Sequence, residues 1–222
     1  MNTLKHVAII MDGNRRWAVR HGLKPSEGHR RGVEALEKTV TAAAQMKIKY
    51  LTVYALSTEN LRSRQKRELS TLFSLIKQML TERLSSLNKA GVKVEFFGDL
   101  GRLPGVVQQA AETAQNTLAK NKGLQLNIAL NYGAREEIVQ AAQRFSEGKG
   151  EEDFNKLLYT HQIPDPDLII RTGGEKRLSN FLLWQAAYSE LYFTDILWPD
   201  FDSEQLKKAL LDYSARKRNF GA

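Results

Sequence analysis

Apolar residues in this chain form short continuous runs that alternate with longer stretches of helical spacing. The continuous runs, such as the one over 7–11, are typical of strands buried on both faces of a parallel sheet. They predict strands over 6–11, 50–56, 93–98, 125–131, 167–171 and 190–193. Helices are predicted over 32–45, 68–89, 104–120, 135–145 and 203–217. This alternation predicts an α/β fold with a mainly parallel, six-stranded sheet flanked by helices.

The clearest helical periodicity lies within 68–89. Its apolar residues recur every three or four positions and form one wide stripe: Leu69, Leu72, Phe73, Ile76, Met79, Leu80, Leu84 and Leu87. A stripe of this kind packs a helix on a sheet in most proteins, but it also suits the wall of an apolar tunnel. Periodicity does not separate the two interpretations, because both require the same side chains.

No internal repeat or Pro-rich linker divides the chain, so residues 1–222 are predicted to form a single domain, with an exposed loop at 146–153. The absence of cysteine excludes disulfides, thiolate nucleophiles and cysteine-bound zinc. No targeting segment is evident, and no apolar stretch approaches the roughly 20 residues that span a bilayer. We therefore expect a cytoplasmic protein, and contact with the periphery of a membrane stays open.

The charge balance favours an anionic partner. Lysine and arginine total 33 against 25 aspartate and glutamate residues, a formal net charge of +8. A nucleic-acid binder would show a basic stripe interleaved with exposed aromatic residues. The basic residues here instead stand beside glycine turns after predicted strands, so a phosphorylated ligand is favoured and no nucleic-acid partner is expected.

Polar segments with glycine or asparagine follow four of the predicted strands, over 12–16, 57–60, 131–133 and 171–175. Ligands of open parallel sheets bind beyond the carboxyl ends of the strands, so these segments are expected to form one site. Gly13 permits close approach of an anion, and Arg15 and Arg16 offer donors suited to phosphate oxygens. Asp12 would repel a bound diphosphate unless Mg²⁺ lay between them. Taken alone, Asp12 is better interpreted as a helix cap.

A second anion pocket is predicted after the fifth strand, from Arg171, Arg177 and Ser179 around a glycine pair at 173–174. Glu190, just before an aromatic strand, is a candidate for a second metal carboxylate and is expected at the same sheet edge as Asp12. Each residue also has an ordinary structural interpretation. Arg177 suits a surface ion pair, and Glu190 suits a solvated strand end.

Four segments together resemble, in order and spacing, the signature blocks of the cis-prenyltransferases. They are 6–14, Ser57-Thr58-Glu59-Asn60, Asn131-Tyr132-Gly133 and 171–185. The likeness runs from about residue 6 to residue 221, and within the family it is to the bacterial undecaprenyl diphosphate synthases. The resemblance implies one α/β domain with an apolar tunnel, and a homodimer. The chain lacks the DDxxD repeat of trans-prenyltransferases.

The activity implied by the resemblance is condensation of isopentenyl diphosphate with an allylic diphosphate, with farnesyl diphosphate as the expected primer. The product would be a cis-polyprenyl diphosphate, the undecaprenyl precursor of a cell-wall lipid carrier, handed on at the membrane surface. Mg²⁺ is the implied cofactor. The alternative is a non-catalytic prenyltransferase-like subunit of a heteromeric complex, but such subunits lose the metal-holding aspartate and pocket arginines.

The resemblance also assigns roles to individual residues. Asp12 and Asn60 are catalytic candidates, with Asn60 implicated in proton removal, and Asp12 and Glu190 are candidates for holding Mg²⁺. The substrate-binding candidates are Gly13, Asn14, Arg15, Arg16, Trp17, His29, Ser57, Thr58, Glu59, Arg171, Arg177, Leu178 and Ser179. The positions up to His29 match the allylic pocket, and those from Arg171 match the isopentenyl diphosphate pocket. Residues 218–221 match a family tail that reaches the dimer partner.

Two stretches depart from the family pattern. Where the family has Trp and then an Arg-Pro pair, this chain has Leu61, Arg62, Ser63 and Arg64. A family arginine is also missing at Pro25, beside Lys24. These positions lie on the allylic side of the predicted site. We hypothesise that Arg62, Arg64 and Lys24 replace the lost charges, with consequences for primer choice, product length or turnover.

Overall fold

The computed structural model describes residues 4–147 and 149–216; the tail 218–221 lies outside them. The strands are β1 (His6–Ile10), β2 (Tyr50–Ser57), β3 (Lys93–Phe97), β4 (Gln125–Tyr132), β5 (Leu168–Arg171) and β6 (Glu190–Phe193). All paired strands run parallel, in the order β3-β4-β2-β1-β5-β6. The predicted α/β fold and its six strands are confirmed, and the sheet is parallel throughout.

The helices are α1 (Asn14–Arg20), α2 (Pro25–Gln45), α3 (Thr58–Ser63), α4 (Lys66–Glu82), α5 (Leu84–Lys89), α6 (Gly105–Leu118), α7 (Ala134–Arg144), α8 (Glu151–Asn155) and α9 (Ser203–Ala215). Helices α1, α3 and α8 escape sequence prediction because they have only five to seven residues, too few for apolar spacing to repeat. The predicted loop 146–153 therefore runs into α8. Across the described part of the chain, no helix combines the length and the apolar character needed to cross a membrane.

The single helix predicted over 68–89 is in fact two helices. Between α4 and α5, Arg83 has φ −98° and ψ −1°, which interrupts the helical path. Its guanidinium forms an ion pair with Glu37 of α2, with Nε and Oε1 2.5 Å apart. The apolar stripe continues across the break, since Leu84 and Leu87 pack against the same core as Met79. That continuity explains why the spacing predicts one helix.

Successive residues of β1 face two different cores. Val7 and Ile9 belong to the larger core, together with apolar side chains of α2, α4, α6 and α9. Ala8 and Ile10 belong to a smaller core on the opposite face, which includes Phe181. Every β1 residue is buried. This burial on both faces is what the continuous apolar run predicts for a parallel strand.

Strand register brings the predicted polar segments to one edge of the sheet. Ile10 at the end of β1 pairs with Arg171 at the end of β5, and Ser57 at the end of β2 pairs with Tyr132 of β4. The register of β2 shifts twice between Tyr54 and Ser57. Irregularities of this kind re-aim side chains at a strand end and are common beside functional sites.

Candidate active site

Asp12 lies where β1 turns into α1. Gly13 occupies the cap position of α1 with φ 115°, a left-handed conformation that favours glycine, and no side chain caps the helix. The interpretation of Asp12 as a helix cap is therefore wrong. The buried Thr172 hydroxyl accepts the Asp12 N–H at 2.9 Å and donates to the Asp12 carbonyl at 2.7 Å. These bonds fix the Asp12 backbone to the segment that follows β5.

The Asp12 carboxylate lies between two guanidinium groups. Its Oδ1 accepts a hydrogen bond from Arg16 Nη2 at 2.9 Å, and its Oδ2 accepts one from Arg171 Nη2 at 3.0 Å. The Arg171 side chain is 5% exposed, against 29% for Asp12. Arg171 Nε is buried and has no hydrogen-bond partner within the described residues. A buried guanidinium with an unused N–H can donate a hydrogen bond to a further anionic oxygen.

The segment after β5 folds back over Arg171. Arg171 Nη1 donates to the Arg177 carbonyl and to Ser179 Oγ, the latter at 2.7 Å. The Arg177 guanidinium itself is exposed and pairs with Glu175 at 2.5 Å. Ser179 and Asn180 have φ values of 50° and 64°. A left-handed backbone at residues other than glycine costs about 1–3 kcal/mol each and is concentrated at functional sites.

Asn180 connects this segment to α3 and α7. Its Nδ2 donates to Glu59 Oε1 at 2.7 Å and to Glu136 Oε2 at 3.2 Å, while its Oδ1 accepts the Arg135 N–H at 2.8 Å. Burial acts to raise the pKa of Glu59. Its hydrogen bonds, of which the one from Asn180 has the largest effect, outweigh burial and lower this pKa below its ordinary value. Sequence reasoning missed Asn180 and Glu136. The one available signal for Asn180 was its place inside the 171–185 motif.

Helices α1 and α2 approach closely because α2 carries glycines where they meet. A Cβ at Gly28 would stand 2.0 Å from the Asn14 carbonyl oxygen, and one at Gly32 would stand 2.4 Å from Asn14 Oδ1. The contact brings His29 of α2 beside the start of α1. Asn14 Oδ1 is buried without a hydrogen-bond partner in the described part of the chain. A polar oxygen and an imidazole thus lie close to Asp12.

Two cavities meet at Asp12. The first, of about 640 Å³, extends between α2, α4 and the sheet, and its inner wall is apolar: Val33, Leu36, Leu72, Ile76, Met79 and Ile128. The second, of about 1190 Å³, opens over α1 and the start of α4, and its cationic wall consists of Arg15, Arg16, Lys24, Arg64 and Arg67. Residues that line both are Met11, Asp12, Asn14, His29, Asn60 and Arg64. A cleft with a cationic wall therefore adjoins an apolar cavity, with Asp12 and Asn60 at the boundary.

Arg64 lies at this boundary, whereas Arg62 does not. The Arg64 side chain is 24% exposed, with Nη1 3.3 Å from Glu68 Oε1; His29 Nε2 is 3.6 Å from the same oxygen. Burial and the Arg64 guanidinium lower the pKa of His29 despite the attraction of Glu68, which favours a neutral imidazole at pH 7. Arg62 is 64% exposed, lies 3.6 Å from Glu136 and lines neither cavity.

Most of the predicted site residues line at least one cavity. They are Asp12, Gly13, Asn14, Arg15, Arg16, Lys24, His29, Ser57, Glu59, Asn60, Ser63, Arg64, Arg171 and Ser179. The predicted residues that line neither are Trp17, Thr58, Leu61, Arg62, Arg177, Leu178 and Glu190. Trp17 is buried and donates its Nε1–H to Asp200 at 2.7 Å. Leu61 and Leu178 pack against the larger and the smaller core respectively.

Glu190 does not share the sheet edge of Asp12. It opens β6 and pairs with Leu168 at the amino ends of the strands, whereas Asp12 follows the carboxyl end of β1. Its carboxylate accepts a hydrogen bond from Arg216 Nη1 at 2.7 Å. The expectation that the two carboxylates stand at one edge is wrong, because Glu190 begins its strand rather than ending it. Among residues 4–147 and 149–216, no group of three or more His, Cys, Asp or Glu could hold a metal ion.

The fold and the site define a class of protein: a parallel α/β domain with a cationic cleft that opens into an apolar cavity. Known proteins of this class match the chain closely. The family model described as putative undecaprenyl diphosphate synthase matches residues 10–221. The isoprenyl transferase of Clostridium perfringens is 46% identical, covering 98% of this chain and 89% of its own. That of Fusobacterium nucleatum is 47% identical, with 99% and 96% covered.

Solved structures agree. Lavandulyl diphosphate synthase from Lavandula x intermedia, in complex with dimethylallyl diphosphate, superposes with a TM-score of 0.95 at 38% identity over 99% of both chains. A probable undecaprenyl diphosphate synthase from Campylobacter jejuni gives 0.85 at 35% identity over 100% of both. The chain belongs to the isoprenyl transferase (undecaprenyl diphosphate synthase) family of cis-prenyltransferases, and it is an enzyme of that kind. The resemblance found in its motifs is confirmed.

Proposed function

We propose that this isoprenyl transferase condenses isopentenyl diphosphate with farnesyl diphosphate and makes a cis-polyprenyl diphosphate, the undecaprenyl lipid-carrier precursor. The observation that carries the proposal is the meeting of a cationic cleft and an apolar cavity at Asp12. A prenyl diphosphate fits this arrangement, because its diphosphate requires a cationic site and its hydrocarbon chain requires an adjoining apolar site. The complex of lavandulyl diphosphate synthase with dimethylallyl diphosphate supports an allylic primer.

In this proposal the cleft around α1 takes the allylic diphosphate. Arg15, Arg16 and Arg64 line it and supply charge-assisted donors for phosphate oxygens. The prenyl tail extends between α2 and α4, where burial of its methylene groups contributes about 0.8 kcal/mol each. This apolar cavity is the candidate for the predicted tunnel, and it supports assigning part of the α4 stripe to the ligand.

Isopentenyl diphosphate is assigned to the segment after β5. Arg171 and Ser179 face the first cavity, and the exposed Arg177 guanidinium stands on the same segment. The Asn180 bonds to Glu59 and Glu136 hold this segment against α3. Because the two diphosphates bind on either side of Asp12, the double bond of one lies near the reacting carbon of the other, which converts a bimolecular step into a positioned one.

Asp12 is the residue that would hold Mg²⁺. Its two oxygens offer about four lone-pair sites, and the bonds to Arg16 and Arg171 use two of them. Mg²⁺ is commonly held by one or two carboxylates together with substrate phosphates and water, so a single carboxylate beside a diphosphate cleft fits it. When bound, Mg²⁺ neutralises charge on a diphosphate leaving group. Glu190 stays a prediction for this role, without support from its position in the chain.

The side chains then stabilise the bond changes. The allylic C1–O bond breaks, the isopentenyl double bond forms a new C–C bond at C1, and a proton leaves the condensed chain. Arg15 and Arg16 line the cleft where negative charge grows on the departing allylic diphosphate, which lowers the barrier. Asn60, at the boundary, has no basic atom at neutral pH. We assign it the task of holding an oxygen of the released diphosphate, which receives the proton.

A non-catalytic subunit of a heteromeric complex would lack Asp12, Arg171 and Arg177, all of which this chain keeps. A homodimer stays a prediction, and measurement of the molecular mass in solution by light scattering tests it.

The deciding experiment is incubation of the purified chain with farnesyl diphosphate, labelled isopentenyl diphosphate and Mg²⁺, followed by chromatography of the products. We expect repeated incorporation of label into a long polyprenyl diphosphate. Parallel reactions with dimethylallyl and geranyl diphosphate identify the preferred primer. Absence of incorporation with all three primers would contradict the proposed reaction.

A further inference from the structure

The turn between α1 and α2 exposes apolar side chains at one end of the molecule. We define the α1 tip as residues 19–24. Within it, Val19 is 67% exposed and Leu23 is 43% exposed. Two exposed aliphatic side chains within one short segment form a small surface that a partner can cover.

The α1 tip is held in place by contacts with the buried side of the turn. Trp17 is buried, donates to Asp200 at 2.7 Å and stacks on His21 with ring centroids 4.1 Å apart. The Leu23 N–H donates to the Ala18 carbonyl at 2.8 Å, which closes the turn. Val19 and Leu23 are therefore presented by an ordered backbone.

Positive charge surrounds the two aliphatic residues. Arg15, Arg20 and Lys24 are exposed, and residues 13–26 contain no aspartate or glutamate. The nearest carboxylates along the chain are engaged elsewhere: Asp12 accepts from Arg16, and Glu27 accepts from Arg30 at 2.8 Å. Among the described residues, Arg20 and Lys24 form no ion pair. The tip thus carries cationic charge that the described part of the chain leaves unpaired.

We propose that the α1 tip docks on the surface of an anionic lipid bilayer. Exposed aliphatic residues ringed by arginine and lysine match a bilayer chemically, since its headgroups carry negative charge and its acyl chains take up apolar side chains. The tip also adjoins the cationic cleft, which Lys24 and Pro25 line. Docking there turns the open cleft toward the membrane. That purpose rests on the proposed function, but the docking itself is tested without substrates.

The test uses cosedimentation of the full chain with vesicles of phosphatidylcholine, with or without phosphatidylglycerol. We expect binding to the anionic vesicles, weaker binding to neutral ones, and loss of binding as salt screens the charges. Arg20→Glu should weaken binding about tenfold or more, since each basic residue near such a surface contributes about fivefold. Lys207→Glu on α9 changes the net charge equally at another exposed site and should leave binding within about twofold.

The apolar part of the proposal is tested by Val19→Ser combined with Leu23→Ser. We expect about tenfold weaker binding to anionic vesicles, from the lost burial of two aliphatic side chains. Val139→Ser, at a comparably exposed position on α7, should have no effect. All these positions are exposed, so the variants should fold, and thermal melting is the check.

Three results would overturn the proposal. The first is an absence of binding to anionic vesicles. The second is a loss with Lys207→Glu as large as that with Arg20→Glu, which would make the attraction one of net charge alone. The third is unchanged vesicle binding by the Val19 and Leu23 double variant. A changed molecular mass of that variant in solution would also overturn the proposal, because it would identify the tip as a contact between copies of the chain. The vesicle assays contain no substrate, so a failure of prenyl transfer would not change their results. The two proposals can therefore fail independently.

Discussion

Two carboxylates of this enzyme lie in opposite surroundings. Asp12 is partly exposed, and both its oxygens accept hydrogen bonds from guanidinium groups. Glu137, on α7, is 2% exposed and is bonded by neutral donors. These donors are the Tyr132 hydroxyl at 2.7 Å, the Gln185 amide at 3.2 Å and the Tyr159 backbone N–H at 2.8 Å.

Asp12 is therefore a carboxylate that can exchange its partners, whereas Glu137 is one that holds the structure together. Asp12 stays accessible to a cation, and its arginines stay accessible to an anion, so the arrangement can reorganise around a ligand. Burial raises the pKa of Glu137 although its hydrogen bonds oppose the shift. A buried carboxylate saturated by neutral donors holds Tyr132, Gln185 and the residue 159 backbone together. A raised pKa does not by itself mark a functional carboxylate, since Glu137 lines neither cavity, whereas Asp12 lies where the two cavities meet.

The largest expected effect is that of Asp12→Asn. The amide keeps the size of the side chain but loses the charge that would hold Mg²⁺ and that pairs with Arg171. We expect incorporation of isopentenyl diphosphate to fall about 100- to 1000-fold, the usual loss on removing one stabilising group from a charged transition state. Single-turnover incorporation of label measures it.

Circular dichroism and thermal melting provide the control for Asp12→Asn, since its fold must persist for the loss to be catalytic. A variant that retained more than a tenth of the activity would assign the essential carboxylate elsewhere and remove the contrast with Glu137.

The next effect is that of Asn180→Ala, which removes the link between the segment after β5 and α3. We expect kcat/KM for isopentenyl diphosphate to fall about 30-fold, because hydrogen bonds to charged groups contribute about 1.5–3 kcal/mol. The Asn180 bond also lowers the pKa of Glu59, so its removal should raise that pKa. If ionised Glu59 supports turnover, the acid limb of the pH profile moves to higher pH.

Asn116→Ala, at an exposed position on α6, is the matched control for Asn180→Ala and should leave the pH profile unchanged. An unmoved acid limb together with wild-type kcat/KM in Asn180→Ala would reduce Asn180 to a structural loop residue.

A smaller effect is expected at the loop that departs from the family pattern. Arg64→Ala should raise KM for farnesyl diphosphate about fivefold, since a partly exposed ion pair contributes up to about 1 kcal/mol. Arg62→Ala should leave KM unchanged, because Arg62 lies outside both cavities. Steady-state kinetics with varied primer test the pair. Equal effects of the two variants would remove the distinction drawn between them.

The residue types of the site were more predictable from the sequence than the contacts that link its segments. Asp12, Arg171 and Ser57 lie at or just after strand ends, and alternating strands and helices predicted the parallel sheet that brings such ends to one edge. Glu190 was mispredicted at the edge of Asp12 although it opens its predicted strand, because the rule that ligands bind beyond the carboxyl ends of parallel strands was not applied to it. Asn180 was missed because its role depends on a left-handed backbone that only the folded segment reveals. Short helices and the break at residue 83 likewise depend on packing rather than on spacing.

The smallest expected effect on activity, and the one that tests the comparison most directly, is that of Glu137→Gln. The side chain lines neither cavity, so incorporation should stay within about twofold of wild type. The free energy of unfolding should fall by about 1–3 kcal/mol. Both Glu137 oxygens accept hydrogen bonds, and the glutamine amide nitrogen, itself a donor, cannot accept the one that it replaces.

The sign of its pH dependence follows from the raised pKa of Glu137. The folded state favours the protonated carboxyl, so its contribution to stability is fully present below the ordinary value of 4.5 and is lost as pH rises through the folded pKa. The stability difference between wild type and Glu137→Gln should therefore shrink from acid to neutral pH, as measured by urea unfolding at several pH values. A difference that grew with pH would mean that ionised Glu137 stabilises the fold, and the two carboxylates would then no longer be opposites.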